Sequence, residues 1–213
     1  MSTRSSEAFT LRTYPFGEGD LIVSFFTKDE GKLRAVAKRA KKMKSPYGAG
    51  LERLCMVRMD YYQRENSELG RLNGCEILSS PFGLAQNYEM SVTLDFVAEV
   101  SEHLLPPHEP NEKFFRLLNA VITQMRAAPD SGPWAAVNYF SFWAVKLSGF
   151  LPDLKVSEDS SNMAHEIARK PIAEVAQAEW TRARCADMRR QLVRAIESQI
   201  ERRLITAPLI ESL

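Results

Sequence analysis

The sequence predicts an α+β protein in which an N-terminal five-stranded β-barrel is followed by an all-helical domain. Apolar residues alternate with polar ones through the first 80 residues, whereas from Pro81 onward they recur every three or four residues. Residues 79–83, between the two patterns, contain a proline and a glycine, which end strands. The balance of basic and acidic residues also reverses here, from 14 against 10 in residues 1–80 to 7 against 13 in residues 81–181. We therefore predict two domains, residues 1–80 and residues 81–213.

The strands of the barrel are predicted where runs of β-branched, aromatic and alternating apolar residues lie between clusters of turn-forming residues. They are residues 9–13, 20–27, 32–38, 54–62 and 69–78. We expect antiparallel neighbours, with the longest connection between the third and fourth strands. Five short strands match an OB-fold barrel better than a β-sandwich, which usually needs about seven.

The helices of the second domain are predicted from apolar residues at three- and four-residue spacing. They are residues 84–105, 111–127, 133–147, 171–180 and 183–204. Pro133 stands in a first-turn position and Gly149 follows a helix end, as is typical of helix boundaries. The small and polar residues 155–162 (KVSEDSSN) are predicted to form a loop.

Composition excludes several classes of protein. With 45% hydrophobic and 26% charged residues, the chain of 213 residues has a globular composition. Its apolar runs are far shorter than the roughly 20 residues of a membrane span, and residues 1–20 lack the apolar stretch of a secretory signal. Three widely spaced cysteines, Cys55, Cys75 and Cys185, suit reduced thiols. These features predict a cytoplasmic protein.

The strongest local signal is positive charge in residues 28–44, which hold eight bases and two acids. Five of the bases fall within residues 38–44 (KRAKKMK), an acid-free segment that we call the basic loop. Because Lys and Arg neutralise phosphates and release counterions, this segment predicts binding to a nucleic acid along the barrel. The predicted DNA-binding residues are Lys28, Lys32, Arg34, Lys38, Arg39, Lys41, Lys42, Lys44 and Tyr47. The alternative is a solvated loop that only blunts a barrel edge.

Aromatic residues offer two further sites. Tyr14, Phe16, Tyr47, Tyr61 and Tyr62 could stack on bases, although alternation buries every second residue of a strand.

The predicted helix at residues 133–147 carries an aromatic cluster that indicates either a central core helix or a groove for an apolar peptide. The predicted partner-binding residues of such a groove are Trp134, Phe142, Trp143 and Lys146. The last predicted helix is rich in arginine, which suits either phosphate contacts or plain solvation.

Motifs of catalysis are incomplete. His165 and Glu166 begin an HExxH zinc motif, but Arg169 occupies the position of the second histidine. The sequence contains no CxxC pair and no P-loop. Glu18 and Asp20 could hold Mg²⁺ in a nuclease, but turn carboxylates more often bond local amides. We predict a protein that is not an enzyme and that holds no metal or cofactor.

Several segments together resemble the RecO family of bacterial DNA repair and recombination mediators. They are residues 11–52 (LRTYPFGEGDLIVSFFTKDEGKLRAVAKRAKKMKSPYGAGLE), 69–78 (LGRLNGCEIL), 111–121 (NEKFFRLLNAV) and 149–154 (GFLPDL). The resemblance implies an OB-fold, a helical domain, and binding to single- and double-stranded DNA. It also implies strand annealing and the loading of recombinase onto gaps with RecR and the single-stranded-DNA-binding protein. If the aromatic helix forms a groove, the acidic tail of that protein is its expected ligand.

The sequence departs from the family at a zinc finger that follows GFxPxL in many relatives. Ser157 and Ser160 occupy the positions of the first cysteine pair, and no second pair follows. A hydroxyl is a poor zinc ligand, so we expect the metal site to be lost. Arg39 also replaces a common glycine and Arg53 a common proline. The resulting prediction is a DNA-binding mediator, and the alternative is an interaction adaptor that does not bind DNA.

Overall fold

The structure is a computed structural model that describes residues 3–64, 67–129 and 132–213. The chain forms two compact units. The barrel unit consists of Met1–Pro81 with Leu105–Phe115, and the helical unit of Phe82–Leu104 with Arg116–Leu213. Residues 105–115, which the sequence analysis assigned to the helical domain, therefore belong to the barrel unit.

The barrel unit contains a closed barrel of five strands in the order β1-β2-β3-β5-β4, which confirms the predicted OB-fold. The strands are β1 (Arg4–Phe16), β2 (Asp20–Thr27), β3 (Gly31–Ala37), β4 (Met56–Tyr62) and β5 (Leu69–Ser79). One pairing differs from the expectation of antiparallel neighbours, because β3 and β5 run parallel. The long connection between β3 and β4 allows this, since it carries the chain across the end of the barrel.

Strand β1 is longer than the predicted residues 9–13 because it closes the barrel. Its first half pairs with β4, from Arg4 opposite Tyr61 to Phe9 opposite Met56. Its second half pairs with β2, and the register shifts between Thr10 and Arg12. Thr10 there exchanges backbone hydrogen bonds with the chain before β4 instead: its N–H donates to the Cys55 carbonyl at 3.0 Å. A bulge of this kind bends a strand, so that the two halves of β1 can pair with β4 and with β2.

The core of the barrel is filled by alternate strand residues and covered at one end by residues 105–115. Phe114 and Phe115 pack against Phe26 and Phe9, with ring centres 5.9 and 4.9 Å apart. The His108 N–H donates to the Lys32 carbonyl at 2.9 Å. Gly31, at φ +73°, permits this approach, because a Cβ on it would lie 2.3 Å from the Glu109 carbonyl oxygen.

The helices are α1 (Tyr88–Leu104), α2 (Glu112–Ala127), α3 (Trp134–Leu147), α4 (Glu158–Arg169), α5 (Ile172–Val175), α6 (Ala186–Gln199) and α7 (Ala207–Ser212). Short 3₁₀ turns occupy Gly48–Leu51 and Leu84–Gln86. Helix α3 is central to the helical unit, since α1, α4, α5 and α6 all contact it. No helix in the described ranges is long and apolar enough to cross a membrane.

Three expectations in the second half of the chain are wrong. The predicted loop at residues 155–162 contains the first turn of α4, which Ser157 caps by accepting a hydrogen bond from the Ser160 N–H. The predicted helix at residues 171–180 shortens to Ile172–Val175. The last long helix spans Ala186–Gln199 only, because Cys185 and Glu201 adopt the left-handed conformation at either end.

Candidate nucleic-acid interface

We call the end of the barrel that carries the basic loop the upper rim, and hydrogen bonds from the loop backbone attach the loop to it. Strands β1 and β3 both end there, so the β1–β2 turn lies beside the loop. The Asp20 carboxylate accepts the Arg39 N–H at 2.7 Å, and the Gly19 carbonyl accepts the Lys41 N–H at 3.1 Å. Asp20 thus anchors the loop. Among the described residues, no group of three or more His, Cys, Asp and Glu could hold a metal ion.

The five bases of the loop are all exposed: Lys38, Arg39, Lys41, Lys42 and Lys44. In the described part of the chain, no ion pair joins any of them to an acid. Their charges therefore face solvent unneutralised, as a phosphate-binding surface requires.

A second feature lies on the outer face of β1 and β3 below this rim. Arg12 and Arg34 both lie over the Tyr14 ring, with guanidinium carbons 5.2 and 5.4 Å from its centre. They share one face because Arg12 and Arg34 are both register partners of Ser24 on β2. The tyrosine is half-buried and the two arginines are exposed. The arrangement combines an aromatic ring with two cations, which suits a nucleic-acid strand.

The same face continues onto β5. Val36 on β3 is the register partner of Arg71, which is exposed, and of Ile22, which is half-buried. The strands β1, β2, β3 and β5 therefore present a surface with arginines around a small apolar centre. We call this surface, with Tyr14 and its arginines, the arginine face. In OB-folds, the face around β2 and β3 is the usual oligonucleotide-binding surface.

Three predicted DNA-binding residues, Lys28, Lys32 and Tyr47, do not belong to this exposed surface. Lys28 lies in the β2–β3 turn at the opposite rim, 3.9 Å from the Glu7 carboxylate. Strand β3 separates it from the basic loop by about 20 Å, at about 3.3 Å per residue. Lys32 is 9% exposed, and its carbonyl accepts a hydrogen bond from the His108 N–H.

Tyr47 is a core residue and not a stacking platform. It is 5% exposed, and its hydroxyl donates to the Leu72 carbonyl at 3.2 Å. Burial raises the pKa of this hydroxyl. The glycine-rich chain after the loop folds back over the barrel end, which places the ring inside. Tyr61 is fully buried as well, and Tyr62 is half-buried.

The aromatic cluster on α3 forms core and not a groove. Trp134 and Phe142 are buried. The Trp143 indole N–H donates to the Ile167 carbonyl at 3.1 Å, and the Lys146 ammonium lies 4.8 Å from the Trp143 ring centre. The buried guanidinium of Arg189 covers Trp134 at 4.6 Å. Of the four predicted partner-binding residues, Trp134 and Phe142 are therefore buried, and only Lys146 and part of Trp143 lie at the surface.

A groove lies instead along α6 and the chain after it, with a volume of about 390 Å³. Its apolar lining includes Val193, Leu204 and Pro208. Arginines also line this groove, which we call the α6 groove: Arg190, Arg194 and Arg203. Glu197 neutralises Arg203 at 2.6 Å, whereas Arg190 and Arg194 have no acidic partner among the described residues.

The residues at the lost zinc positions form a hydrogen-bonded cluster that we call the serine–aspartate latch. The Ser157 N–H donates to the Asp187 carboxylate at 2.7 Å, and the Ser160 hydroxyl donates to the same carboxylate. Partial burial opposes ionisation of Asp187, but these hydrogen bonds and that of the Met188 N–H outweigh it and lower its pKa to about 2. Burial raises the pKa of the neighbouring Cys185 thiol. This donor set of hydroxyls, one engaged carboxylate and one neutral thiol does not fit zinc.

Comparison with known proteins shows the family. The family model for the recombination protein O N terminal matches residues 1–81, and that for its C terminal matches residues 85–163. The DNA repair protein RecO of Koribacter versatilis is 37% identical over 244 aligned residues, which cover 99% of each chain. That of Thermodesulfovibrio yellowstonii is 33% identical and that of Cutibacterium acnes 30% identical, over 71% and 72% of this chain and 59% and 64% of theirs. With an OB-fold barrel, a helical unit and this similarity over almost its whole length, the chain belongs to the RecO family of DNA repair proteins.

Proposed function

We propose that this RecO-family protein binds single- and double-stranded DNA without sequence preference, anneals complementary strands, and helps RecR to load recombinase onto gaps. The observation that carries the proposal is the upper rim, where five exposed bases, none paired with a described acid, lie beside the arginine face. Phosphate contacts carry no sequence information, so binding of this kind is unspecific.

The basic loop and the arginine face contact different parts of a DNA strand. The basic loop neutralises phosphates, and the Tyr14 ring with its arginines offers a surface for one base. A strand held by its backbone keeps its other base edges free to pair. Annealing then follows because the loop also screens the charge of the second strand.

The test is a salt series of DNA affinity. A Lys41→Ala, Lys42→Ala, Lys44→Ala variant should weaken binding to all sequences alike and flatten the slope of log K against log salt by about 2, at about 0.7 per lost contact on single strands. The matched control is Lys113→Ala, Lys155→Ala, Arg169→Ala, which removes three exposed charges from other segments. A wild-type protein whose DNA binding is absent or unaffected by salt would instead be the interaction adaptor.

The acidic tail of the single-stranded-DNA-binding protein is the partner that we propose for the α6 groove. An apolar lining beside Arg190 and Arg194, which pair with no acid in the described ranges, suits a peptide that ends in a hydrophobic residue and a free carboxylate. Arg190→Ala with Arg194→Ala should weaken binding of the tail peptide, and amidating its terminus should cost about 1.5–3 kcal/mol. Arg169→Ala is the control, and equal affinity for free and amidated peptide would refute this site.

A further inference from the structure

The tip of the basic loop carries an exposed methionine. Met43 is 102% exposed, so its side chain projects clear of the protein and makes no packing contact. The other described methionines differ: Met59, Met90, Met125, Met163 and Met188 are buried and Met56 is half-buried. Because Met43 contributes nothing to the core, the stability of the fold does not explain its position.

The residues around Met43 place it between two positive charges. Lys42 and Lys44 flank it, and both are exposed. The loop before it is attached to the β1–β2 turn, since the Arg39 N–H donates to the Asp20 carboxylate and the Lys41 N–H to the Gly19 carbonyl, and within the loop the Lys42 N–H donates to the Arg39 carbonyl. Phe16, 45% exposed, adds a second apolar side chain at the same rim. The tip of the loop is therefore an apolar side chain between two exposed cations, and hydrogen bonds hold the chain that precedes it.

We propose that Met43 is a wedge that inserts between adjacent bases and unstacks them while Lys42 and Lys44 hold the flanking phosphates. The inference rests on the proposed DNA binding and adds a contact to base faces that charge alone does not supply. Apolar side chains, methionine among them, open base steps in this way in other DNA-binding proteins. Unstacked bases expose their edges and can pair with a second strand. The wedge thereby promotes annealing.

The experiment uses DNA with 2-aminopurine, whose fluorescence rises when it leaves the base stack. The full-length wild-type protein should raise this fluorescence at saturation, and Met43→Ala should reduce the rise at least twofold. The slope of affinity against salt should not change, because no charge is removed. Met43→Leu should restore the rise. Ile205→Ala, which removes an apolar side chain that is 65% exposed in the helical unit, is the control.

The outcomes separate this inference from the proposed function. If wild-type protein binds DNA with a steep salt dependence but Met43→Ala gives the same fluorescence rise, the wedge is refuted and DNA binding stands. If wild-type protein does not bind DNA, the proposed function itself fails. Met43→Lys should bind more tightly because of its added charge and yet lose the fluorescence rise; a retained rise would overturn the wedge.

Discussion

Tyr14 lies under the guanidinium groups of Arg12 and Arg34 on the outer face of the barrel. The ring is half-buried and already holds two cations, so a base that stacks on it exchanges a cation–π contact for base stacking. We expect Tyr14→Ala to weaken single-strand affinity by about 1–3 kcal/mol and leave the salt slope unchanged. Tyr14→Phe keeps the ring and should bind almost as wild type. Fluorescence anisotropy measures both, and an alanine variant of wild-type affinity would remove Tyr14 from the interface.

Gly31 has no side chain because the backbone of residue 109 occupies that space. Gly31→Ala combines a positive φ with a Cβ 2.3 Å from the Glu109 carbonyl oxygen. We expect it to lower the free energy of unfolding by at least about 2 kcal/mol. Gly17→Ala is the matched control, since Gly17 also has a positive φ, +60°, but a Cβ there would meet nothing within 4 Å. Urea denaturation measures the free energy of unfolding of both variants. An equal loss in the two would show that the close approach of residue 109 does not add to the cost of Gly31→Ala.

The sequence predicted the basic loop and, on the arginine face, Arg34 and Tyr14, but it missed Arg12 and Arg71. The bulge between Thr10 and Arg12 breaks strict alternation on β1, so parity alone does not place Arg12 and Tyr14 beside Arg34. The signal that was available is the repeated arginine and aromatic pattern at residues 12, 14 and 34. Tyr47 was misassigned because its burial depends on how a loop folds over the barrel, which local sequence does not specify.

Among the elements, the serine–aspartate latch joins the start of α4 to the start of α6. The pKa of Asp187 is about 2 in the folded protein and 3.8 as its ordinary value. Its ionised form therefore stabilises the fold above about pH 4, and this stabilisation is lost as pH falls from about 4 to 2.

We expect Asp187→Ala to cost about 1–2 kcal/mol of unfolding free energy at pH 6, after allowance for solvent screening, and less at pH 2.5. Urea denaturation at the two pH values measures the difference. Asp153→Ala removes an exposed carboxylate and serves as control. A loss for Asp187→Ala that does not shrink at pH 2.5 would mean that ionisation of this carboxylate is not what stabilises the latch.

The elements themselves were predicted unevenly, for physical reasons. Strands β2 to β5 follow the sequence pattern to within two residues because alternation and turn residues are local signals. Helix α4 was missed because its first residues are small and polar, although Ser157 before Glu158 and Asp159 is a helix start signal. The apolar period continues past Ile200, but the left-handed Glu201 ends α6 there.

For the whole molecule, a net charge of +1 gives no hint of DNA binding, because the bases are segregated. The loop and the arginine face gather them on one barrel, while residues 81–181 carry an excess of acids. The assignment of residues 105–115 to the barrel unit was not predictable, since it depends on contacts between residues far apart in sequence.

The whole protein is expected to be independent of zinc. Purified protein should contain far less than one zinc per chain, and its Tm should not change in a strong chelator, because the latch donors do not suit the metal. Elemental analysis and a thermal melt with and without chelator measure this. A stoichiometric zinc or a lower Tm in chelator would contradict the description of the latch.

The serine–aspartate latch also differs from a zinc–thiolate site in the atoms that an oxidant can attack. Zinc held by thiolates is released when peroxide oxidises the sulfurs, because thiolates are the reactive form of cysteine. The latch links α4 to α6 through oxygen atoms, and the one thiol beside it, Cys185, is buried. The latch itself therefore offers an oxidant no thiolate ligand to attack, because the groups that join α4 to α6 are an amide, a hydroxyl and a carboxylate.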